Sequence, residues 1–141
     1  ILSQRYESNL IVQKDFAENT LQGKVPRLFI QPILENAVFH GFSERFSSIC
    51  VLTLHSHLET LNDVPNAKYL VVSIRDNGCG MSQDKLQQLI ETLSEESKGK
   101  SIGLKNVVQR MRLIYGNVFR LSIESKENIG TCFTLRFPYW E

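Results

Sequence analysis

The chain has 141 residues, a length that suits one domain with a core of its own. Hydrophobic residues make up 42% and charged residues 22% of it, as in an ordinary globular domain. Because 16 basic residues nearly balance 15 acidic ones, no broad positive field favours nucleic acid as a partner.

The cysteines and the chain start indicate a reduced, cytoplasmic fragment. Cys50, Cys79 and Cys132 lie far apart without the spacing of a zinc site, which predicts reduced thiols. No apolar run approaches the roughly 20 residues of a membrane-spanning helix. The first residue is Ile1 and no signal peptide follows it, so we expect residues 1–141 to be a single domain cut from a longer polypeptide.

The first part of the chain predicts a strand followed by a helix. Residues 8–14 form a short apolar strand, and residues 15–22 form a turn or a short helix. Apolar residues at helical spacing predict a helix over residues 26–41. Pro32 has no N–H to donate and should kink this helix or restart it.

The middle of the chain predicts two strands joined by a turn. Residues 48–55 alternate and are rich in β-branched side chains, and residues 61–68 have the composition of a turn. Residues 69–75 form a nearly continuous apolar run, which predicts a central strand covered on both faces.

The last part predicts two helices and a hairpin. An amphipathic helix over residues 82–93, with Ser82 as its N-cap, precedes a charged stretch expected to be mobile. A second helix over residues 104–115 stops at Gly116. Strands over 118–125 and 131–137 then pair around a turn at 128–130. The order β-α-β-β-α-α-β-β predicts an α+β two-layer sandwich, with a mixed, mainly antiparallel sheet and helices on one face.

Three polar features could carry chemistry. Directly after the central strand comes Asp76-Asn77-Gly78-Cys79-Gly80-Met81, where an acid could accept a hydrogen bond from an exocyclic amine. Its glycines would let the backbone approach a flat ring, although the same residues also suit a plain turn.

The second feature is the glycine loop over residues 99–104, at the start of a helix. Its backbone N–H groups could bind phosphate, or the loop could be a linker. It matches neither a Walker loop nor a Rossmann fingerprint. The third feature is the pair Asn36 and His40, four residues apart on one helix face. An amide oxygen there could bind Mg²⁺, or both side chains could simply face water.

The combination of these features resembles a known family. Residues 26–41 resemble the N box of LytS-type sensor histidine kinases. Residues 76–81 resemble the first glycine box of the wider family that contains gyrase, Hsp90, histidine kinases and MutL. Residues 101–116 resemble the second glycine box and the following helix of the LytS group, and residues 130–134 resemble the final box. Together the boxes cover about residues 5 to 138.

The resemblance implies the Bergerat ATP-binding fold, with ATP and Mg²⁺ between the helical layer and a lid over residues 83–102. Asp76 would bind the adenine amine with support from Thr131, and Asn36 would hold Mg²⁺. The residues implied in cofactor binding are Asn36, His40, Asp76, Gly78, Gly80, Met81, Gly103, Leu104, Asn106 and Thr131.

Two positions depart from the family pattern. Phe39 replaces a common lysine, so a positive charge at the phosphates would have to come from other side chains. The candidates for that charge are Lys98, Lys100, Lys105 and His40. Pro32 stands where the ATPase branches have a water-activating glutamate. Glu35, the remaining carboxylate candidate for catalysis, lies about 100° from Asn36 around the helix, so we expect very slow ATP hydrolysis.

The resemblance further implies a protein-histidine kinase of a two-component system. Its catalytic domain would phosphorylate a histidine on an upstream dimerisation segment that this chain lacks. A response regulator, a homodimer and a membrane anchor for the full-length protein follow from the same resemblance. The alternatives are an ATPase or serine kinase of the same superfamily, and an interaction module that has lost ATP binding.

Overall fold

The computed structural model describes residues 10–20, 30–37, 50–60, 68–94 and 102–139. The strands are β1 Leu10–Phe16, β2 Cys50–Thr60, β3 Lys68–Asp76, β4 Arg120–Lys126 and β5 Gly130–Pro138. The helices are α1 Gln31–Asn36, α2 Gln83–Ser94 and α3 Ile102–Tyr115, with 3₁₀ turns at Glu18–Thr20 and Gly116–Val118. The predicted order of elements is confirmed over these residues.

The strands form one five-stranded sheet in the order β1-β2-β3-β5-β4. β1 pairs with β2 in parallel, and the other neighbours are antiparallel. β3 therefore lies in the middle, next to β5, and the C-terminal hairpin β4–β5 reaches the centre of the sheet. The predicted two-layer α+β sandwich with a mainly antiparallel sheet is confirmed.

The core lies between the sheet and the described helices. Alternate residues of β3 and β5 face the helices, and Ile74, Phe133 and Phe137 are at most 1% exposed. Met111 of α3 is fully buried among them, and the ring of Tyr115 stacks on Phe137 at 5.3 Å. Burial of each such side chain stabilises the fold by about 1.5–3 kcal/mol. This face therefore holds the helices against the sheet.

The second face of β3 differs from the prediction. The central position of the strand is confirmed, but the covering of both faces is wrong. Val71 is buried at 2% exposure, whereas Ser73 is half-buried and Arg75 is exposed on the face away from the described helices. A run this short gives only four side chains to the second face, too few to distinguish a covered face from an open one.

Pro32 lies in the first turn of α1, which begins at Gln31. Its missing N–H has no helical partner to lose there, and Ile30 precedes the helix without a side-chain cap. The expected kink or restart depends on residues 26–29 and stays a prediction. The remainder of the predicted helix, 26–29 and 38–41, lies outside the described residues.

The helix α2 corrects the predicted lid. The Ser82 hydroxyl caps it by accepting the N–H of Lys85 at 3.2 Å, as predicted. Leu93 is buried at 4% exposure in the core, so residues 83–94 are a packed helix and not part of a loose lid. The rest of the expected lid, 95–101, lies outside the described residues. None of the helices in the described ranges is long and apolar enough to cross a membrane.

Candidate functional site

Asp76 is the last residue of β3 and is only 5% exposed. Its Oδ1 accepts the backbone N–H of Gly78 at 2.8 Å and that of Thr131 at 3.3 Å. Burial raises the pKa of the Asp76 carboxyl above its usual value, and the two hydrogen bonds oppose that shift. Within the described ranges no donor contacts Oδ2, so this oxygen keeps its lone pairs for an incoming N–H group.

The loop after Asp76 has a fixed shape. Asn77 extends the ladder of β2, because its Oδ1 accepts the Val51 N–H at 2.8 Å. Gly80 has φ +67°, and a Cβ at this position would lie 1.9 Å from the carbonyl oxygen of Lys126. Only glycine fits there, because a side chain would meet both the steric limit of positive φ and a backbone atom. The loop is thus both a turn and a closely packed wall.

The β4–β5 hairpin holds the loop from the other side. The N–H of Asn128 donates to the Cys79 carbonyl at 2.7 Å, and the N–H of Met81 donates to the Ser125 hydroxyl at 2.8 Å. The Ser125 and Thr131 hydroxyl oxygens lie 2.8 Å apart. Asp76, the first glycine box and Thr131 are therefore joined in one hydrogen-bonded group.

The C-terminal end of α1 lies at the same end of the sheet as Asp76. Ala37 packs with Cys50 and Leu52 in a small apolar cluster, and Leu52 pairs with Asp76 across the β2–β3 ladder. Asn36, the residue before Ala37, is half-buried. The structure thus brings the predicted metal-binding amide to the helix-covered side of the sheet, at the end where Asp76 lies.

The first turn of α3 lies beside α1. A Cβ on Gly103 would be 3.6 Å from Cβ of Pro32, which is one helical turn before Asn36. Gly103 and Asn106 are exposed, whereas Leu104 is 5% exposed and belongs to the core. The Leu104 side chain is therefore a packing group, and only its backbone N–H remains for the predicted contact with phosphates.

Of the remaining candidate residues, Glu35 and Lys105 lie within the described ranges. Glu35 is half-buried, and its carboxylate accepts a hydrogen bond from Gln31 of the same helix at 3.1 Å. Lys105 is 4% exposed. Over the described residues there is no cluster of three or more His, Cys, Asp or Glu side chains that could hold a metal. His40, Phe39, Lys98 and Lys100 lie outside the described residues.

A cleft opens on the far face of the sheet, and residues of the hydrogen-bonded group around Asp76 contribute to its lining. It measures about 380 Å³, and Arg75, Glu124 and Cys132 contribute to its lining. Strand alternation directs these three side chains away from the helices, and the side chain of Asp76 toward them. Asp76, Ser125 and Thr131 also line the cleft, which therefore borders the hydrogen-bonded group.

Sequence reasoning missed Ser125 and Asn77. Both act through contacts with residues that are distant in the sequence, since Ser125 meets Met81 across 44 positions and Asn77 meets Val51 across 26. One signal was available for Ser125. The hairpin was predicted, and its observed turn at residues 127–129, one position before the predicted 128–130, pairs Ser125 with Thr131 on the same face.

Comparison with known proteins identifies the family. Residues 23–141 match the family model of histidine kinase-, DNA gyrase B- and HSP90-like ATPases. The fold is also that of the histidine kinase domain of the blue-light activated histidine kinase of Erythrobacter litoralis. That comparison gives a TM-score of 0.63 at 21% identity, covering 97% of this chain and 55% of the other. The chain belongs to the histidine kinase-, DNA gyrase B- and HSP90-like ATPase family.

Within this family its relatives are sensor kinases. The chain is 35% identical over 115 residues to the sensor protein LytS of Streptococcus agalactiae, covering 82% of this chain and 18% of that protein. It is 28% identical over 135 residues to the sensor protein kinase HptS of Staphylococcus aureus, covering 95% of this chain and 24% of HptS. The chain thus spans about a fifth of the length of these relatives, and the predicted resemblance to LytS-type sensor kinases is confirmed.

Proposed function

We propose that this chain binds MgATP and provides the γ-phosphoryl group for a histidine on another segment of a sensor histidine kinase. The observation that carries the proposal is the buried Asp76 carboxylate, whose Oδ2 faces no donor among the described residues. The exocyclic amine of adenine is an N–H donor that fits this acceptor. The fixed glycine loop and the Thr131 hydroxyl beside it suit the edge and face of a purine ring.

Different residues of this chain would bind different parts of the nucleotide. Asp76 and Thr131 would hold the adenine edge, and Gly78, Gly80 and Met81 would form the wall against its face. At the other end, Asn36 would hold Mg²⁺, and His40 would contribute to nucleotide binding. The phosphates would lie against the backbone at Gly103 and Leu104, with Asn106 beside them, where helix N–H groups favour negative charge. ATP supplies the phosphoryl group when it is bound.

Transfer to histidine suits these residues better than hydrolysis does. Pro32 occupies the first turn of α1 and has no acid–base group, and Glu35 is hydrogen-bonded to Gln31. Water needs activation by a base, whereas an imidazole nitrogen is already nucleophilic and needs positioning and charge neutralisation. The chain would therefore bind ATP without hydrolysing it.

The proposal extends to partners and location. The acceptor histidine would lie on a dimerisation segment outside this chain, and a response regulator would receive the phosphoryl group from it. We place the domain in the cytoplasm, attached to a protein anchored in the bacterial membrane. The support for these points is the match to proteins named as sensor kinases, of which this chain spans about a fifth.

A titration combined with a phosphate-release assay tests the proposal. We expect the chain to bind ATP in the presence of Mg²⁺, more weakly after chelation with EDTA, and to release phosphate very slowly. Rapid phosphate release without an acceptor would instead favour an ATPase. A chain that binds no adenine nucleotide with Mg²⁺ present would be an interaction module that has lost its ligand.

Replacement of Gly103 by alanine tests the phosphate end of the site. The new Cβ meets only Pro32 at an ordinary 3.6 Å, and alanine is the better helix former, so the free energy of unfolding should stay equal or rise by up to about 1 kcal/mol. MgATP binding should nevertheless weaken about tenfold, because the methyl group overlaps phosphates that approach the backbone.

Gln109→Ala, an exposed change on the same helix, is the control and should leave the dissociation constant unaltered. Unchanged MgATP binding by the Gly103 variant would show that the phosphates lie elsewhere. Isothermal titration calorimetry and urea unfolding provide the two measurements.

A further inference from the structure

Ser125, near the end of β4, has a hydroxyl at the junction of three groups. Its Oγ lies 2.8 Å from the Met81 backbone nitrogen, 2.8 Å from Oγ1 of Thr131 and 3.2 Å from the Gly130 carbonyl oxygen. Two of these neighbours, Met81 and Thr131, belong to the proposed adenine pocket. Ser125 therefore links the wall of the pocket to its polar edge.

The number of donors and acceptors around Ser125 limits the possible orientations of its hydroxyl group. A hydroxyl has one proton to donate and two lone pairs to accept with. The Met81 N–H takes one lone pair. If the Ser125 proton goes to Gly130, the Thr131 hydroxyl donates into the remaining lone pair and presents its own lone pairs to a ligand. If the proton goes to Thr131, the Thr131 proton is free to be donated to a ligand.

We propose that Ser125 is a positioning residue for adenine recognition, which holds the Met81 backbone in place and orients the Thr131 hydroxyl. The inference rests on the proposed function, since it requires the ligand to be an adenine nucleotide. Thr131 also donates its N–H to Asp76, so the serine is coupled through one residue to the acceptor of the adenine amine. Loss of the serine hydroxyl would loosen two walls of the pocket at once.

The hairpin itself does not depend on the Ser125 hydroxyl. Ser125 pairs with Thr131 and Lys126 with Gly130 through the β4–β5 ladder, which is made of backbone groups. The side chain is only half-buried, so its truncation leaves no sizeable cavity in the core. A change in nucleotide binding can thus be separated from a change in folding.

The test compares ADP binding in the wild type and three variants by calorimetry with Mg²⁺ present. Ser125→Ala removes two hydrogen bonds of the pocket, so the dissociation constant should rise about fivefold to thirtyfold. Ser125→Thr keeps the hydroxyl and suits a strand, so binding should return to within about threefold of wild type. Ser122→Ala, an exposed change on the same strand, should bind as wild type does. Urea unfolding should give equal stabilities for all four proteins.

The outcomes separate this inference from the proposed function. A wild-type chain that does not bind ADP refutes the proposed function. A wild type that binds, with Ser125→Ala binding equally well, refutes the role of Ser125 alone. Equal weakening in the alanine and threonine variants, together with lower unfolding free energies, would show that Ser125 serves the fold and would also overturn the inference.

Discussion

Replacing Asp76 by asparagine should nearly abolish adenine-nucleotide binding and leave the fold intact. The amide oxygen still accepts the N–H groups of Gly78 and Thr131, so the loop keeps its shape. The amide nitrogen takes the place of Oδ2 and points a donor at the donor amine of adenine. Loss of a hydrogen bond to a charged group costs about 1.5–3 kcal/mol, which corresponds to roughly 10- to 150-fold weaker binding by titration calorimetry.

The same variant should differ from wild type in its pH dependence. Burial raises the pKa of Asp76 in the folded chain above its usual value, so the folded state binds this proton more tightly than the unfolded state. The wild type therefore loses stability as pH rises from the unfolded pKa through the raised folded pKa, and the loss persists above it. Asp76→Asn removes this loss, so its stability relative to wild type should increase from pH 3.5 to neutrality in urea unfolding.

The control for both measurements is Asp84→Asn, which changes an exposed acid in the first turn of α2. It should leave nucleotide affinity unchanged. Near-normal ATP binding by the Asp76 variant would place the adenine contact elsewhere. Loss of the folded state would show that the carboxylate is needed for the structure and not only for the ligand.

Replacing Gly80 by alanine should cost about 2–5 kcal/mol of unfolding free energy. A residue with a Cβ pays about 1–2 kcal/mol to adopt φ +67°. The methyl group would also lie 1.9 Å from the Lys126 carbonyl oxygen, and displacing that backbone adds about 1–3 kcal/mol. Since small domains are stable by only about 5–15 kcal/mol, urea unfolding should show this variant as severely weakened.

Gly116→Ala is the matched control for the close approach. Gly116 has nearly the same backbone angle, φ +63°, but a Cβ there would meet no atom within 4 Å. The control should therefore lose only the strain, about 1–2 kcal/mol. Equal losses in the two variants would mean that the hairpin moves away from the loop without cost. Gly130→Ala, whose Cβ would lie 2.0 Å from the Asp76 carbonyl oxygen, should resemble the Gly80 variant.

Local patterns were sufficient for most of the fold. The strand at 69–75, the Ser82 cap and the hairpin turn each follow from residues close together in the sequence, and the structure contains all three. The acidic residue after the central strand was singled out from the sequence, and the structure shows that it is buried at the end of that strand. In these places local propensity and tertiary packing favour the same structure.

Tertiary contacts account for what the sequence did not predict. Leu104 was expected at the phosphates, yet its side chain fills the core, because helical spacing alone does not say which residue of a turn faces inward. The helix over the first half of the expected lid was predicted, but its anchoring in the core through Leu93 was not. The role of Ser125 was missed, because its contact with Met81 spans 44 positions and only its pairing with Thr131 follows from the hairpin.

The long sequence separation between the loop after Asp76 and the β4–β5 hairpin that holds it has a consequence for protein synthesis. Asp76 and the glycines are made early, but Ser125, Asn128 and Thr131, which hold them, follow some 50 residues later along the chain. At about 5–20 residues per second, the ribosome adds these last strands within a few seconds. A nascent chain without them lacks the contacts that hold the loop of the proposed adenine pocket in place. The domain thus becomes able to take up nucleotide only when its C-terminal hairpin is in place.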